Sequence, residues 1–296
     1  MSVEVRRAES DADLEAWARV KRAVLPNESA WTVQEFRERM EPDSLVLVAE
    51  LDGAVVGAGL AGRSDVQGRG FVAPRVHPDA RRRGVGTALL LVLTEHVVSL
   101  GFDKAWGSAD DSGSQEFAKR FGFEEVDREV GQAITLPAQV PEAPLPAGIE
   151  VVTIGERPDL LREAYPLAQA EGYADLAIDG DVVVKLSDWL KDEATLPEGS
   201  FVALHEGQIV GYSGLVRHDN PGVAEDGLTV VAREWRRRGL ALALKRLELT
   251  WAAENGFSEV LTWTQRRNEG MRKVNERLGY EYRTVAMKMM GQVPLE

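Results

Sequence analysis

Thr229 to Gly256 reads TVVAREWRRRGLALALKRLELTWAAENG. It opens as a β-branched run, turns through Arg236-Arg237-Arg238-Gly239-Leu240-Ala241, and continues as a helix with Leu240, Leu244, Leu247 and Trp251 at spacings of three and four. Gly256 stands where a helix takes a left-handed cap. The stretch predicts a strand, a glycine-bearing turn and a helix whose first backbone N–H groups have no partner inside the helix. Such an end attracts anions, because the free donors and the positive end of the helix dipole point the same way.

The construction recurs upstream as Arg75-Val76-His77-Pro78-Asp79-Ala80-Arg81-Arg82-Arg83-Gly84-Val85-Gly86-Thr87, followed by a helix that stops at Gly101. Turn glycine and capping glycine are 17 residues apart in both copies, Gly84 to Gly101 and Gly239 to Gly256, and the copies are offset by 155. A repeat that long predicts two duplicated domains.

Arg81-x-x-Gly84-x-Gly86 and Arg236-x-x-Gly239-x-Ala241 resemble the acetyl-CoA pyrophosphate loop, Arg/Gln-x-x-Gly-x-Gly/Ala, of the GNAT N-acetyltransferase superfamily. Six residues with three fixed positions are weak alone; twice, each between a strand and an amphipathic helix, they are strong. The resemblance covers nearly the whole chain as two consecutive GNAT domains.

At 296 residues the chain has room for two domains, and 44% hydrophobic residues supply a core for each. No run of about 18 apolar residues predicts a membrane span, and MSVEVRRAES lacks the apolar centre of a signal peptide. Zero cysteines exclude disulfides, thiolate metal sites and a cysteine nucleophile, and His77, His96, His205 and His218 show no ligand spacing. The expectation is a cytoplasmic, metal-free protein, monomeric or homodimeric. A net charge of -13 argues against nucleic acid as a partner. It suits a cationic amine drawn in by steering, or simply a soluble surface.

Along the chain, strands are expected at 3–6, 45–50, 55–61, 71–76 and 104–108, with helices at 11–25, 31–40, after Gly84, and at 112–120; strands then run to 136. A turn at Asp52-Gly53 signals a hairpin. Residues 137–148, PAQVPEAPLPAG, read as an extended linker. The second half repeats the order, with a strand at 149–153, a helix at 159–173, a hairpin over 201–211, strands at 225–231 and 260–264, and a helix at 270–277. The fold class is therefore α/β, a central mixed sheet flanked by helices in each of two domains, 1–136 and 149–296.

Acetyl transfer to an amine needs an anion cradle for pyrophosphate. The Gly84 and Gly239 loops offer one through backbone N–H groups, including those of Val85, Gly86, Thr87, Leu240 and Ala241, and through Arg81, Arg82, Arg83, Arg236, Arg237 and Arg238. Three cations at a helix start are electrostatically misplaced unless an anion binds there. The resemblance also implies a backbone N–H on the strand before the loop as donor to the thioester carbonyl. By position this falls near Val76 in the first half and on Thr229-Val230-Val231, near Val231, in the second; such a donor contributes about 3 kcal/mol.

A protonated amine, with a reference pKa near 10.4 if lysine-like, must lose a proton before attack. The resemblance places a carboxylate base on the strand entering the loop, which makes Asp226 the first candidate, Glu225 the second and His218 a distant third. The first half has no acid or base on Gly70-Phe71-Val72-Ala73-Pro74, and its nearest carboxylate is Asp65. Family members often carry a tyrosine acid on the last helix; Asn275 stands at that position and Asn268 is kept. An asparagine donates a hydrogen bond to sulfur but gives up no proton at neutral pH. Asp111 and Ala118 stand at the places of Asn268 and Asn275 in the first half. His77 reads as structural, and Trp31, Trp189, Tyr173 and Tyr212, in segments that would flank an acceptor groove, read first as core aromatics.

These residues predict an acetyl-CoA-dependent N-acetyltransferase acting on a primary amine of a small molecule by direct attack, with the chemistry in the second half and a degenerate first half. The alternatives are catalysis in both halves, or a CoA-binding sensor without turnover.

Overall fold

The computed structural model describes residues 3–26, 28, 31–64, 66–176 and 181–295; Asp65 lies outside them. The chain forms two compact units, the first of residues 1–126 with 287–296, the second of residues 127–286.

The first unit begins with β1 (Val3–Arg7), α1 (Asp11–Val24), α2 (Val33–Arg39), β2 (Leu45–Leu51), β3 (Ala54–Arg63), β4 (Gly70–Val72) and β5 (Arg75–Val76). It continues with α3 (Val85–Ser99), β6 (Lys104–Ala109), α4 (Ser112–Arg120) and the start of β7 (Glu124–Thr135). Ser10 starts α1 with a reciprocal capping box to Asp13. The β2–β3 hairpin turns at Asp52 and Gly53, whose φ values of 54° and 80° are those of the turn that matches strand twist. The expected strand over 71–76 is split in two, because Pro74 has no N–H to carry the ladder through.

The second unit holds the rest of β7, β8 (Ile149–Thr153), α5 (Asp159–Leu167), α6 (Ala174–Leu176), α7 (Leu186–Asp192), β9 (Phe201–His205), β10 (Gln208–Arg217) and β11 (Val223–Val231). After these come α8 (Leu240–Glu254), β12 (Glu259–Gln265), α9 (Glu269–Leu278) and the first half of β13 (Glu281–Gln292). Its hairpin turns at Glu206 and Gly207, at φ 50° and 78°. The helix expected over 159–173 is α only to Leu167 and then widens into a π-helical turn over Ala168–Tyr173, which brings Gly172 against Leu228 of β11. Pro166 lies inside that helix and removes one ladder bond, a usual cause of such departures. α7 has no counterpart among the sequence expectations.

Each unit takes one strand segment from the far half of the sequence. Met287–Gln292 pairs antiparallel with β6 in the first unit, and residues 129–135 pair antiparallel with β12 in the second. Each sheet is covered on two faces. In the first unit α3 buries Val85, Leu89 and Leu93 on one face, while Trp17 and Phe36 fill the other. In the second, Leu240 and Leu244 of α8 cover one face and Trp189, Tyr212 and Leu160 the other. Burial of a side chain such as Leu89 contributes roughly 2 kcal/mol. Among the described residues no helix is long and apolar enough to cross a membrane, and no three His, Cys, Asp or Glu side chains gather as metal ligands.

Candidate active site

In both units two parallel strands start together and then part. In the second, β11 and β12 pair only from Val223↔Glu259 to Glu225↔Leu261, although β11 runs on to Val231 along β10. In the first, β4 and β6 pair at Gly70↔Ala105 and Phe71↔Trp106, after which β5 follows β3 alone. Past these points one edge of β5 and of β11 faces no parallel partner.

Alternation along a strand decides which amides face that open edge. Ala73 and His77 donate to Leu60 and Val56 of β3, so the amide of Val76 points the other way. Ala232 donates to Val210 of β10, so the amide of Val231 also points to the open edge. Opposite the two valines stand Gly57 and Gly211. A Cβ on Gly57 would stand 2.8 Å from Val85 Cγ1, and one on Gly211 3.3 Å from Leu240 Cδ2. Glycine at these positions lets the first turn of α3 or α8 settle on the sheet beside the open edge.

The loops before those helices are near copies. Gly84 and Gly239 are the N-caps, both at φ 85°, and Arg82 and Arg237 are left-handed at 64° and 61°. Left-handed residues in a tight turn make a concave row of amides, an anion nest. The helical ladder starts only at Ala88 and Ala243, which donate to Gly84 and Gly239 at 3.0 Å. Among the described residues no protein acceptor meets the amides of Val85, Gly86 and Thr87, or of Leu240, Ala241 and Leu242. A Cβ on Gly86 would lie 3.4 Å from Phe117, which is enough room for the alanine at 241.

The arginines do not act alike. Arg81 and Arg236 are spent on the protein. Arg236 donates to the Val231 carbonyl and to Glu171 and meets Asp175 at 2.7 Å; Arg81 donates to the Val76 carbonyl and to Asp111. Arg83 pairs with Asp52, and Arg238 lies over the ring of Trp235. Arg82 and Arg237 are exposed. Arg81 and Arg236 thus brace the loops against the strand ends, and the amides of the first helical turn are left open beside them.

Asp226, the first candidate base, faces α8. Its side chain is 1% exposed, and its Oδ2 accepts hydrogen bonds from Lys245 Nζ and Tyr280 OH. The carboxylate expected to act as base is thus enclosed and engaged by Lys245 and Tyr280 rather than open at the strand edge. Glu248 lies beside it, and burial together with the Asp226 charge pushes its carboxyl well above the ordinary range. The Asp226–Lys245 pair joins β11 to α8, with Tyr280 closing the same carboxylate. Glu225 is half-buried on the opposite face of β11. His218 is buried, and its Nδ1 accepts the Asn220 amide.

Sequence reasoning missed Glu193, which follows α7 without any motif around it. A bulge breaks the β10–β11 register between Ser213↔Thr229 and Leu215↔Asp226, and Glu193 fits against it. Its carboxylate accepts the Leu228 amide at 3.3 Å and the Tyr212 hydroxyl at 3.2 Å. Glycines at 214 and 227 make the space, since a Cβ on either would come within 2.6 Å of Glu193 Oε2. Burial pushes the carboxyl up to about 7, with the Leu228 and Tyr212 bonds opposing. Glu193 is half-buried, and through the Leu228 amide its carboxylate rests against β11, the strand that carries the Val231 amide. Thr229 bonds Ser213 on the α8 side, and Val230 packs with Trp189 and Tyr212.

α9 uses its asparagines internally. Asn268 caps the helix by accepting the Met271 amide, as Asp111 caps α4 by accepting that of Ser114. Asn275 is fully buried and donates to Gln132 and Thr264. Both amide hydrogens are committed, so a bond from Asn275 to a departing thiolate is not supported. In the first unit 70–74 carries no ionisable side chain, while Asp110 follows β6 and burial raises its carboxyl to about 6.

The model of the acetyltransferase (GNAT) family matches residues 11–123 and 159–280. The mycothiol acetyltransferase of Catenulispora acidiphila is 29% identical over 219 residues, 71% of this chain and 68% of that protein. The mycothiol acetyltransferase of Saccharomonospora viridis is 28% identical over 74% of this chain and 73% of its own. Among solved structures, a tandem GNAT protein from the clavulanic acid biosynthesis pathway superposes over 100% of both chains with a TM-score of 0.76 at 20% identity. A GCN5-related N-acetyltransferase from Sphaerobacter thermophilus gives 0.75 at 22% identity over 98% of this chain and 95% of that one.

Proposed function

The chain belongs to the GNAT acetyltransferase family, and from that premise we propose that its second unit transfers acetyl from acetyl-CoA to a primary amine of a small molecule by direct attack. The observation that carries this reading is the unpartnered amide row of Leu240, Ala241 and Leu242 beside the open edge that presents the Val231 amide. The row takes the pyrophosphate, and the Val231 N–H takes the charge that develops on the thioester oxygen. Glu193 accepts the proton of the amine through a water, its raised pKa matching neutral conditions. The amine nitrogen bonds to the carbonyl carbon as the carbon–sulfur bond breaks. The thiolate, with a pKa near 8.5 by analogy with cysteine, takes its proton from solvent. Two relatives are named mycothiol acetyltransferases, so amines related to mycothiol are the first acceptors to try.

A second reading, turnover in both units, is favoured by the matching Val76 amide and Gly84 loop. CoA release followed with a thiol indicator over a panel of amines separates the readings. Loss of release in Gly239→Leu with retention in Gly84→Leu supports the second unit alone. Loss only in Gly84→Leu overturns the first reading, and no release with any amine overturns both.

A further inference from the structure

Tyr212 is fully buried on β10 and is held at both ends. Its ring centroid lies 5.0 Å from that of Trp189 of α7, and the Trp189 indole N–H is itself anchored on the Leu161 carbonyl at 2.7 Å. Its hydroxyl ends in the slot left open by the glycines at 214 and 227. A Cβ at 214 would fall 2.3 Å from that hydroxyl and 2.6 Å from Glu193 Oε2, so both partners of the bond depend on the same missing side chain.

The two oxygens of Glu193 are not used alike. The Leu228 amide is shared between Oε1 and Oε2 at 3.3 Å each, whereas the Tyr212 hydroxyl reaches Oε2 alone at 3.2 Å. Oε1 therefore keeps the freer lone pairs. Burial and then the Glu193 charge push the Tyr212 hydroxyl well above its ordinary range, so at neutral pH it keeps its proton and offers it to the carboxylate. Asp192, beside Glu193 at the end of α7, works against ionisation of Glu193, while Tyr173 of the π-helical turn and Glu248 of α8 act on the Tyr212 hydroxyl.

The first unit has no such pair. The register that sets Gly211 against Val231 and Tyr212 against Val230 in the second unit sets Gly57 against Val76 and Ala58 against Arg75 in the first. Alanine stands there in the place of Tyr212.

We propose that Tyr212 is a positioning residue for the transfer: its hydroxyl holds Oε2 of Glu193 and leaves Oε1 as the atom that takes the proton. This rests on the reading of Glu193 as the base. The ammonium gives one proton to the bridging water, the water gives one to Oε1, and Tyr212 keeps its own. A donor on the ionised carboxylate favours that form, so its removal makes the carboxyl hold a proton more tightly.

The full chain is prepared with isotope-labelled glutamate carboxyl carbons and titrated by NMR, the Glu193 resonance being identified by its loss in Glu193→Gln. In Tyr212→Phe, which keeps the ring against Trp189, the midpoint of that resonance rises by about one pH unit, a tenfold tighter proton. The acid limb of kcat/KM for amine-dependent CoA release moves up with it. If Tyr212→Phe does not fold by circular dichroism, Gly214→Ala breaks the same bond from the other side and carries the test. A midpoint that stays or falls overturns the role of Tyr212, whatever turnover does. A midpoint that rises while Glu193→Gln retains the acid limb overturns instead the reading of Glu193 as base, and with it any part of Tyr212 in the transfer.

Discussion

Arg236 ties the loop that follows β11 back to the strand end: its Nε–H donates to the Val231 carbonyl oxygen at 2.9 Å. Arg81 makes the same bond to Val76 at 3.4 Å in the first unit. Holding that carbonyl fixes the strand end, and with it the direction of the Val231 amide. In the second unit the guanidinium also binds Glu171 and Asp175, next to the π-helical turn that packs on β11.

Arg236→Lys keeps the charge and loses the fork, so CoA affinity should fall about tenfold by calorimetry, since lysine cannot hold three acceptors in fixed geometry. Arg237→Lys, at an exposed site, should change it far less. Equal losses in the two variants would refute the bracing role.

Gly239→Ala forces a Cβ onto a residue at φ 85°, in open space but in a disfavoured conformation. The strain, about 1 kcal/mol, should lower the melting temperature by about 2–4 °C and weaken CoA binding. Gly86→Ala, which has room and installs the residue found at 241, should do neither. A scan of both variants with and without CoA decides the point.

Glu193 supplies a pH signature. Its folded pKa, about 7, lies above the ordinary 4.5, so the folded state binds the proton more tightly than the unfolded one. This contribution favours folding below pH 4.5 and is lost as pH rises toward 7. Glu193→Gln should therefore melt higher than the parent at pH 8. In the same variant kcat should drop about 100-fold or more, and the rise of kcat/KM through neutral pH should vanish. An unchanged pH profile would remove Glu193 from the reaction.

The cluster under α8 predicts an asymmetry. Lys245→Met strips the cation from Asp226 and should cost about 3–5 kcal/mol in denaturant unfolding. Glu248→Gln removes a carboxyl that burial and the Asp226 charge push well above its ordinary range and should cost little. Comparable losses in the two variants would refute the asymmetry.

The tandem architecture, both hairpin turns and both glycine-bearing loops before α3 and α8 were legible because each rests on local signals: glycine spacing, β-branched runs and helical periodicity. What sequence could not give was which way a side chain turns. Glu225 and Asp226 are adjacent in a strand, and alternation sends one of them under α8, where Lys245 and Tyr280 enclose it. Lys245 and Glu248 sit among apolar residues of a helix buried nearly all round, whereas the stripe read from Leu240, Leu244, Leu247 and Trp251 implied a narrower face. Glu193 becomes visible only once the bulge in β11 and the glycines at 214 and 227 are placed around it. Arg75 reads in the repeat as an ordinary strand residue, and only the fold sets its guanidinium over Trp17 with Nη1 sealed from solvent.

A cut through the proline-rich stretch at 137–148 would not yield two working halves. The leading fragment would carry off residues 129–135, the partner of β12, and the trailing fragment would keep Met287–Gln292, the partner of β6. Each piece would expose a strand edge that only the other can complete, so separately produced halves should aggregate and jointly produced ones should reassemble, which makes this chain a natural split-protein reporter.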